Sequence, residues 1–176
     1  MRTKALVLGC TLLAVSLLPV TALAGAPHQP ITAQAAFEKL KTLAGDWHGT
    51  VGERGKGEAG TVTYRLIANG SALAETLFAG TPHEMITLYH LDRDKLVLTH
   101  YCAAGNQPKL ALTRKSSPEL LDFDFVSGTN MKSKKDEHMH ALRIRFEGPN
   151  AIVAEWDGSK NGRKTDTTRV FLTRKN

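Results

Sequence analysis

From Trp47 onward the apolar residues of this chain recur at every second position. Val62, Tyr64 and Leu66 alternate with Thr61, Thr63 and Arg65; Leu121, Phe123 and Phe125 alternate with Asp122 and Asp124; Leu142, Ile144 and Phe146 alternate with Arg143 and Arg145. A period of two puts neighbouring side chains on opposite faces, so each stretch is expected to be a strand with one dry and one wet face. Turn signals fall between the stretches: Asn69-Gly70, Asp92-Arg93-Asp94, Gly105-Asn106, Gly148-Pro149-Asn150 and Asn161-Gly162. About ten strand-like stretches lie between Trp47 and Thr173, at the short spacing of a sandwich or barrel. One segment breaks the pattern. Phe37, Leu40 and Leu43 or Ala44 recur at helical spacing, which predicts a helix over Ala35 to Leu43, with Thr32 as N-cap and Gly45 as its stop.

The N-terminus has a different composition. Arg2 and Lys4 precede an uncharged apolar run from Ala5 to Val20, and Ala22-Leu23-Ala24 supplies a small-x-small cleavage pattern. This is the layout of a secretory signal peptide, and the run is short of the ~20 residues a membrane span needs. The expected organisation is a signal over 1–24, a flexible leader over 25–33 and one domain over 34–176. A lipoprotein signal at Val7-Leu8-Gly9-Cys10 is the alternative, although Cys10 sits at the start of the apolar run. No second run of spanning length follows, so the mature chain is expected to be periplasmic or secreted, without integral membrane association.

Export bears on the cysteines. The chain has two, and Cys10 leaves with the signal. Cys102 then has no partner for an intramolecular disulfide, and the fold must rest on its core. Cleavage also removes Arg2 and Lys4, lowering the formal net charge of +6 by two. The remaining charges are mixed, and the one basic cluster, Lys132 to Lys135, runs directly into Asp136 and Glu137. Nucleic acid is not the expected partner, because that would require a continuous basic face with aromatic platforms.

A short helix, then Gly45-Asp46-Trp47, then a run of antiparallel strands resembles the calycin superfamily, which includes the lipocalins, the fatty-acid-binding proteins and the nitrobindin-like haem proteins. The resemblance in motif covers a few residues and in architecture nearly the whole mature chain. It implies an all-β, antiparallel up-and-down barrel of about ten strands preceded by one short helix. It also implies that Trp47 packs across the barrel base beside a late basic residue, Arg169 or Arg174, and that the interior holds a small apolar molecule or a haem on one inward histidine.

The residues that carry candidate chemistry are few. By strict alternation His138 and His140 share the inward face of Leu142, and His100 and Cys102 share the face of Leu96 and Leu98. His90 joins that face if the following turn has three residues; Tyr89 and Leu91 join it if the turn has two. His100, His138 and His140 are candidate metal ligands if they converge. Tyr101, Asn106 and Gln107 lie in a polar stretch expected to form a rim loop. Glu75, between Leu73 and Leu77, is expected to point inward and to need a partner such as Arg65 or a histidine. Asp122 and Asp124 are expected to form a charge ladder with Arg143 and Arg145 if their strands are neighbours, and the segment Ser127 to Glu137 is expected to form a flap. No Gly-x-Ser-x-Gly elbow, phosphate loop, His-Glu-x-x-His or dinucleotide fingerprint occurs. Three functions stay open: a ligand-binding barrel, a small hydrolase or isomerase using inward His, Glu or Cys, and a structural envelope protein with a filled barrel.

Overall fold

The computed structural model describes residues 30–175. The expected signal segment and most of the leader lie outside them. One helix, α1 (Ala33–Lys41), precedes ten strands: β1 (Gly45–Val51), β2 (Glu58–Ile67), β3 (Ala72–Leu77), β4 (Met85–Asp92), β5 (Lys95–Tyr101), β6 (Gln107–Leu112), β7 (Leu120–Thr129), β8 (His138–Phe146), β9 (Ala151–Lys160) and β10 (Arg163–Arg174). Each strand pairs antiparallel with the next, and β10 returns to β1 to close the barrel. Among the described residues, closure leaves no sheet edge exposed for pairing with another chain.

Helix α1 starts and stops two residues before the expected bounds. Its N-cap is as read: the Thr32 hydroxyl accepts from Ala35 N–H at 3.2 Å. Its C-cap is Thr42, and Gly45, with φ of 129°, instead opens β1. The helix lies across one end of the barrel. Lys39 sits over the Phe146 ring at the end of β8, Ile31 N–H donates to Ser116 in the β6–β7 turn, and the buried Phe37, Leu40 and Leu43 join the barrel core. The Trp47 indole N–H donates to Leu43 O at 2.7 Å, and the Arg174 guanidinium lies 4.5 Å over the Trp47 ring while donating to Ala44 O and Thr42 O. Arg174 is therefore the late basic residue; Arg169 pairs with Glu155 at 2.6 Å. One residue ties the helix end, the base tryptophan and the last strand together.

The interior is filled by the inward rows of all ten strands, among them Leu73, Tyr89, Leu98, Leu110, Phe123, Ile144 and Leu172. Leu66, expected on the dry face, lies near the end of β2 and is 45% exposed. The charge ladder is also corrected. Asp122 does face Arg143 on the neighbouring strand, but Arg143 turns to Glu155 and Asp157 on β9, and Asp122 accepts from Thr113 Oγ1 at 2.6 Å. A guanidinium flanked by two carboxylates on β9 gains more there than from one carboxylate already held by a hydroxyl.

Candidate functional site

The barrel end opposite α1 is bounded by the β1–β2, β3–β4, β5–β6, β7–β8 and β9–β10 connections. Inside it lies a cavity of about 40 Å³ lined by Leu77, Phe78, Met85, His100, Met139, Trp156, Thr168 and Val170. On the far side of Phe78, a groove of about 460 Å³ runs past Val51, Ala59, Thr61, Thr81 and His83. Phe78 thus stands between cavity and groove. Its backbone is left-handed, with φ of 54°, and its ring lies over Gly60, where a Cβ would meet it at 3.1 Å.

A polar row crosses the barrel from the helix end to this cavity. Tyr64, Glu75, Thr87 and His100 oppose one another in register on β2, β3, β4 and β5. Strands tilt in a barrel, so a row of opposed residues also climbs along its axis. Tyr64 packs edge-on against Trp47 at the base, and His100 packs against Trp156 at the mouth with ring centroids 4.5 Å apart. The Tyr64 and Tyr89 hydroxyls donate to the two Glu75 carboxylate oxygens at 2.8 and 2.7 Å, and His100 Nδ1 lies 2.9 Å from Thr87 Oγ1. Glu75 points inward as expected, but its partners are the two tyrosines; Arg65 faces Ala74, one position out of phase with Glu75.

Burial governs the charge of this row. It pushes the Glu75 carboxyl above its ordinary range, against hydrogen bonds from Tyr89, Tyr64 and Thr87 that favour the carboxylate. It pulls the His100 imidazole down to about 4, so the ring is neutral near pH 7. The two groups act on stability in opposite senses. Between pH 6.5 and about 4 the unfolded chain takes up a proton that folded His100 refuses, so stability falls as pH drops through that window. Glu75, raised when folded, contributes stability at acid pH that is lost as pH rises above 4.5. The expected result of a ring-nitrogen NMR titration is a His100 midpoint near 4. A midpoint at the ordinary histidine value would mean that solvent reaches the ring.

The other sequence candidates take different places. The β4–β5 turn has two residues, since Leu91 faces Leu96 and Asp92 faces Lys95. Tyr89 therefore turns inward, and His90 turns away from the interior, opposite Val97. A β-bulge at His140, between Met139 and Ala141 of β8, breaks the alternation there. As a result Met139, and neither His138 nor His140, lines the cavity. The two imidazoles instead join each other at 3.0 Å and pack on Phe125, with His140 3.6 Å from Asp124. His100 does not meet them, and among the described residues no group of three or more His, Cys, Asp or Glu is placed to hold a metal ion. Tyr101 is 48% exposed. Cys102 lies past β5 in a turn, where its N–H donates to Asn106 O.

Asn106 and Gln107 hold loops together. Asn106 Nδ2 donates to Glu137 O at 2.7 Å, while Gln107 joins Gly105 O and the Thr129 hydroxyl. Strand β7 runs on to Thr129, and the shortened connection to β8 is tied by Asn130 to Gly105 O and by Lys135 O to Asn161 N–H, so it is no free flap. Sequence reasoning missed Phe78, Met85, Thr87, Met139 and Trp156 as mouth residues. Alternation assigned them a face, but only the ring of ten registers sets their height along the axis.

Pockets that enclose a drug-sized ligand span roughly 300–1,000 Å³. The cavity at His100, about 40 Å³, therefore does not accept a haem or a fatty acid with Phe78, Met85 and Met139 where they stand. No protein-family description matches the chain, and no curated protein matches it. Among solved structures it is similar to Rv2717c from M. tuberculosis, with a TM-score of 0.52 and 17% identity, covering 80% of this chain and 98% of that one. That likeness is one of fold. At this identity it carries no residue role across.

Proposed function

We propose that the chain is an exported, calycin-like protein that binds a small, largely apolar molecule at the open mouth of its barrel. The observation that carries this reading is the composition of the mouth. Apolar and flexible side chains, Phe78, Met85 and Met139, surround a neutral imidazole and adjoin a groove of about 460 Å³. Methionine adapts its shape at low cost and is frequent on surfaces that accommodate ligands. A few polar groups among apolar walls, here His100 and Thr168, are the usual makeup of a small-molecule site. The site lies at the mouth, above a packed interior, so the ligand is expected to be small or to extend into the groove.

Native mass spectrometry of the mature protein, purified from the exported fraction and compared with its denatured mass, tests this. The expected result is an added mass of a few hundred daltons or less, lost on denaturation or acquired from small apolar compounds. Protein that carries nothing and takes up nothing would identify the barrel as a filled structural domain.

A further inference from the structure

Lys132, Lys134 and Lys135 stand in the β7–β8 connection, and Lys160, Arg163 and Lys164 flank the turn between β9 and β10. The fold brings the two groups together at one corner of the mouth, where Asn161 N–H donates to Lys135 O at 2.7 Å. All six residues are exposed. Asp136 and Glu137 follow the lysines in sequence, but both are engaged. Asp136 accepts from Lys132 N–H, Ser133 N–H and the Ser133 hydroxyl, with the Lys132 charge beside it, and Glu137 pairs with Lys160 at 2.8 Å. Lys164 pairs with Asp157, which Arg143 and Thr167 also hold. Asp166 accepts from Thr165 Oγ1, and Asp124 faces His140 on the adjoining wall. Among the described residues, Lys134, Lys135 and Arg163 therefore have no carboxylate partner. A basin of about 240 Å³ lies between the two connections, lined by Lys134, His140, Asp157 and Lys164 and by the backbone of Gly158 and Gly162.

The same rim carries exposed apolar surface. Asn130 Nδ2 donates to Gly105 O, which ties the basic corner to the β5–β6 connection. Tyr101 leads into that connection and is 48% exposed, and Ile86, its partner across β4 and β5, is exposed as well.

We propose that this rim docks the protein, mouth first, on an anionic phospholipid bilayer, with Lys134, Lys135 and Arg163 against the headgroup phosphates and Tyr101 at the interface. This rests on the reading of the mouth as a site for a small apolar molecule, and it names the surface from which such a molecule is collected. Apolar molecules leave water for the bilayer, and docking by the mouth brings the barrel opening to them. The cations are spread over two connections, so they match a charged plane better than a single small anion. Cations beside an exposed tyrosine are the usual makeup of a bilayer interface. A nucleic-acid duplex would call for a longer basic face. Each Lys or Arg near an anionic surface strengthens binding about fivefold, so three give a weak, reversible attachment that salt dissolves.

The test sediments the mature protein with vesicles of phosphatidylcholine alone, and of phosphatidylcholine and phosphatidylglycerol at roughly two to one. Saturable binding to the mixed vesicles is expected at low salt. It is expected to be at least about tenfold tighter than binding to phosphatidylcholine, and to be lost in about 1 M salt, where screening acts within about 3 Å. The triple variant Lys134→Gln, Lys135→Gln, Arg163→Gln is expected to bind about a hundredfold more weakly. A matched variant, Lys95→Gln, Lys115→Gln, Lys175→Gln, removes the same charge from the α1 end and is expected to lose less than about threefold. These six residues are exposed, so both variants are expected to keep the fold. A DNA duplex is expected not to compete with the vesicles. Equal losses in the two variants would mean that net charge alone attracts the protein, and effective competition by the duplex would mean a general polyanion site. Either result overturns the docking rim, as does equal binding to both vesicles or to neither. The small-molecule reading is then decided separately, by its own mass measurement.

Discussion

Replacing Glu75 by alanine is expected to destabilise the barrel by about 4 kcal/mol near pH 7, although the residue removed is a buried acid with no cation beside it. The estimate follows from what is left behind. Tyr64 and Tyr89 are fully buried, and both spend their hydroxyl protons on Glu75. Orphaning a buried hydroxyl costs roughly 1–3 kcal/mol, and two are orphaned. The cavity from the lost side chain adds to this, at roughly 24 cal/mol per Å³ of unfilled volume. Relief of the buried carboxylate works the other way and is what keeps the sum near 4 rather than higher.

Glu75→Gln separates these contributions. The amide keeps the volume and offers one acceptor and one donor, so one tyrosine hydroxyl donates to it and the other accepts from it. The expected loss is under about 1.5 kcal/mol at pH 7. Because burial raises the Glu75 carboxyl, the wild type loses stability relative to this variant as pH rises. Urea unfolding of the three proteins at pH 5, 7 and 9 measures all of it. An alanine variant as stable as the glutamine variant would mean that the tyrosines find other partners, and that the row does not hold the interior.

The polar row also marks what can be read from the chain before its fold. That Glu75 points inward follows from its place between Leu73 and Leu77, because alternation within a strand is local. That its partners are Tyr64 and Tyr89 does not follow, because each pairing depends on a neighbouring register. The base of the barrel was legible for the same reason that Glu75's direction was. Gly45, Trp47 and the helix end lie within a few residues of one another, and only Arg174 comes from afar. The mouth was not legible. His90 hung on one residue of turn length, and His138 and His140 hung on one inserted residue in β8. A bulge reverses the facing of every residue beyond it and leaves no mark in the hydrophobic period.

Closure of the barrel depends on a residue whose role is also invisible in that period. Gly49→Ala is expected to cost more than about 3 kcal/mol, at the upper end of overpacking effects, and to sharply reduce the yield of soluble protein. Gly49 sits in β1 opposite Leu172 of β10 and Gly60 of β2. A Cβ there would lie 1.7 Å from the Phe171 carbonyl oxygen. That neighbour is backbone in a paired strand and cannot rotate aside, so β1 must move off β10. The seam holds the Trp47–Arg174 pair and the five registered residues from Trp47 to Val51, and opening it creates two unpaired edges. Gly52→Ala is the matched control. Its φ is 98° and no atom lies within 4 Å of the added carbon, so only the backbone conformation is penalised, by roughly 1–2 kcal/mol. Thermal unfolding of both variants reads the difference. If Gly49→Ala is no worse than Gly52→Ala, the two strands do not approach as closely as this closure requires.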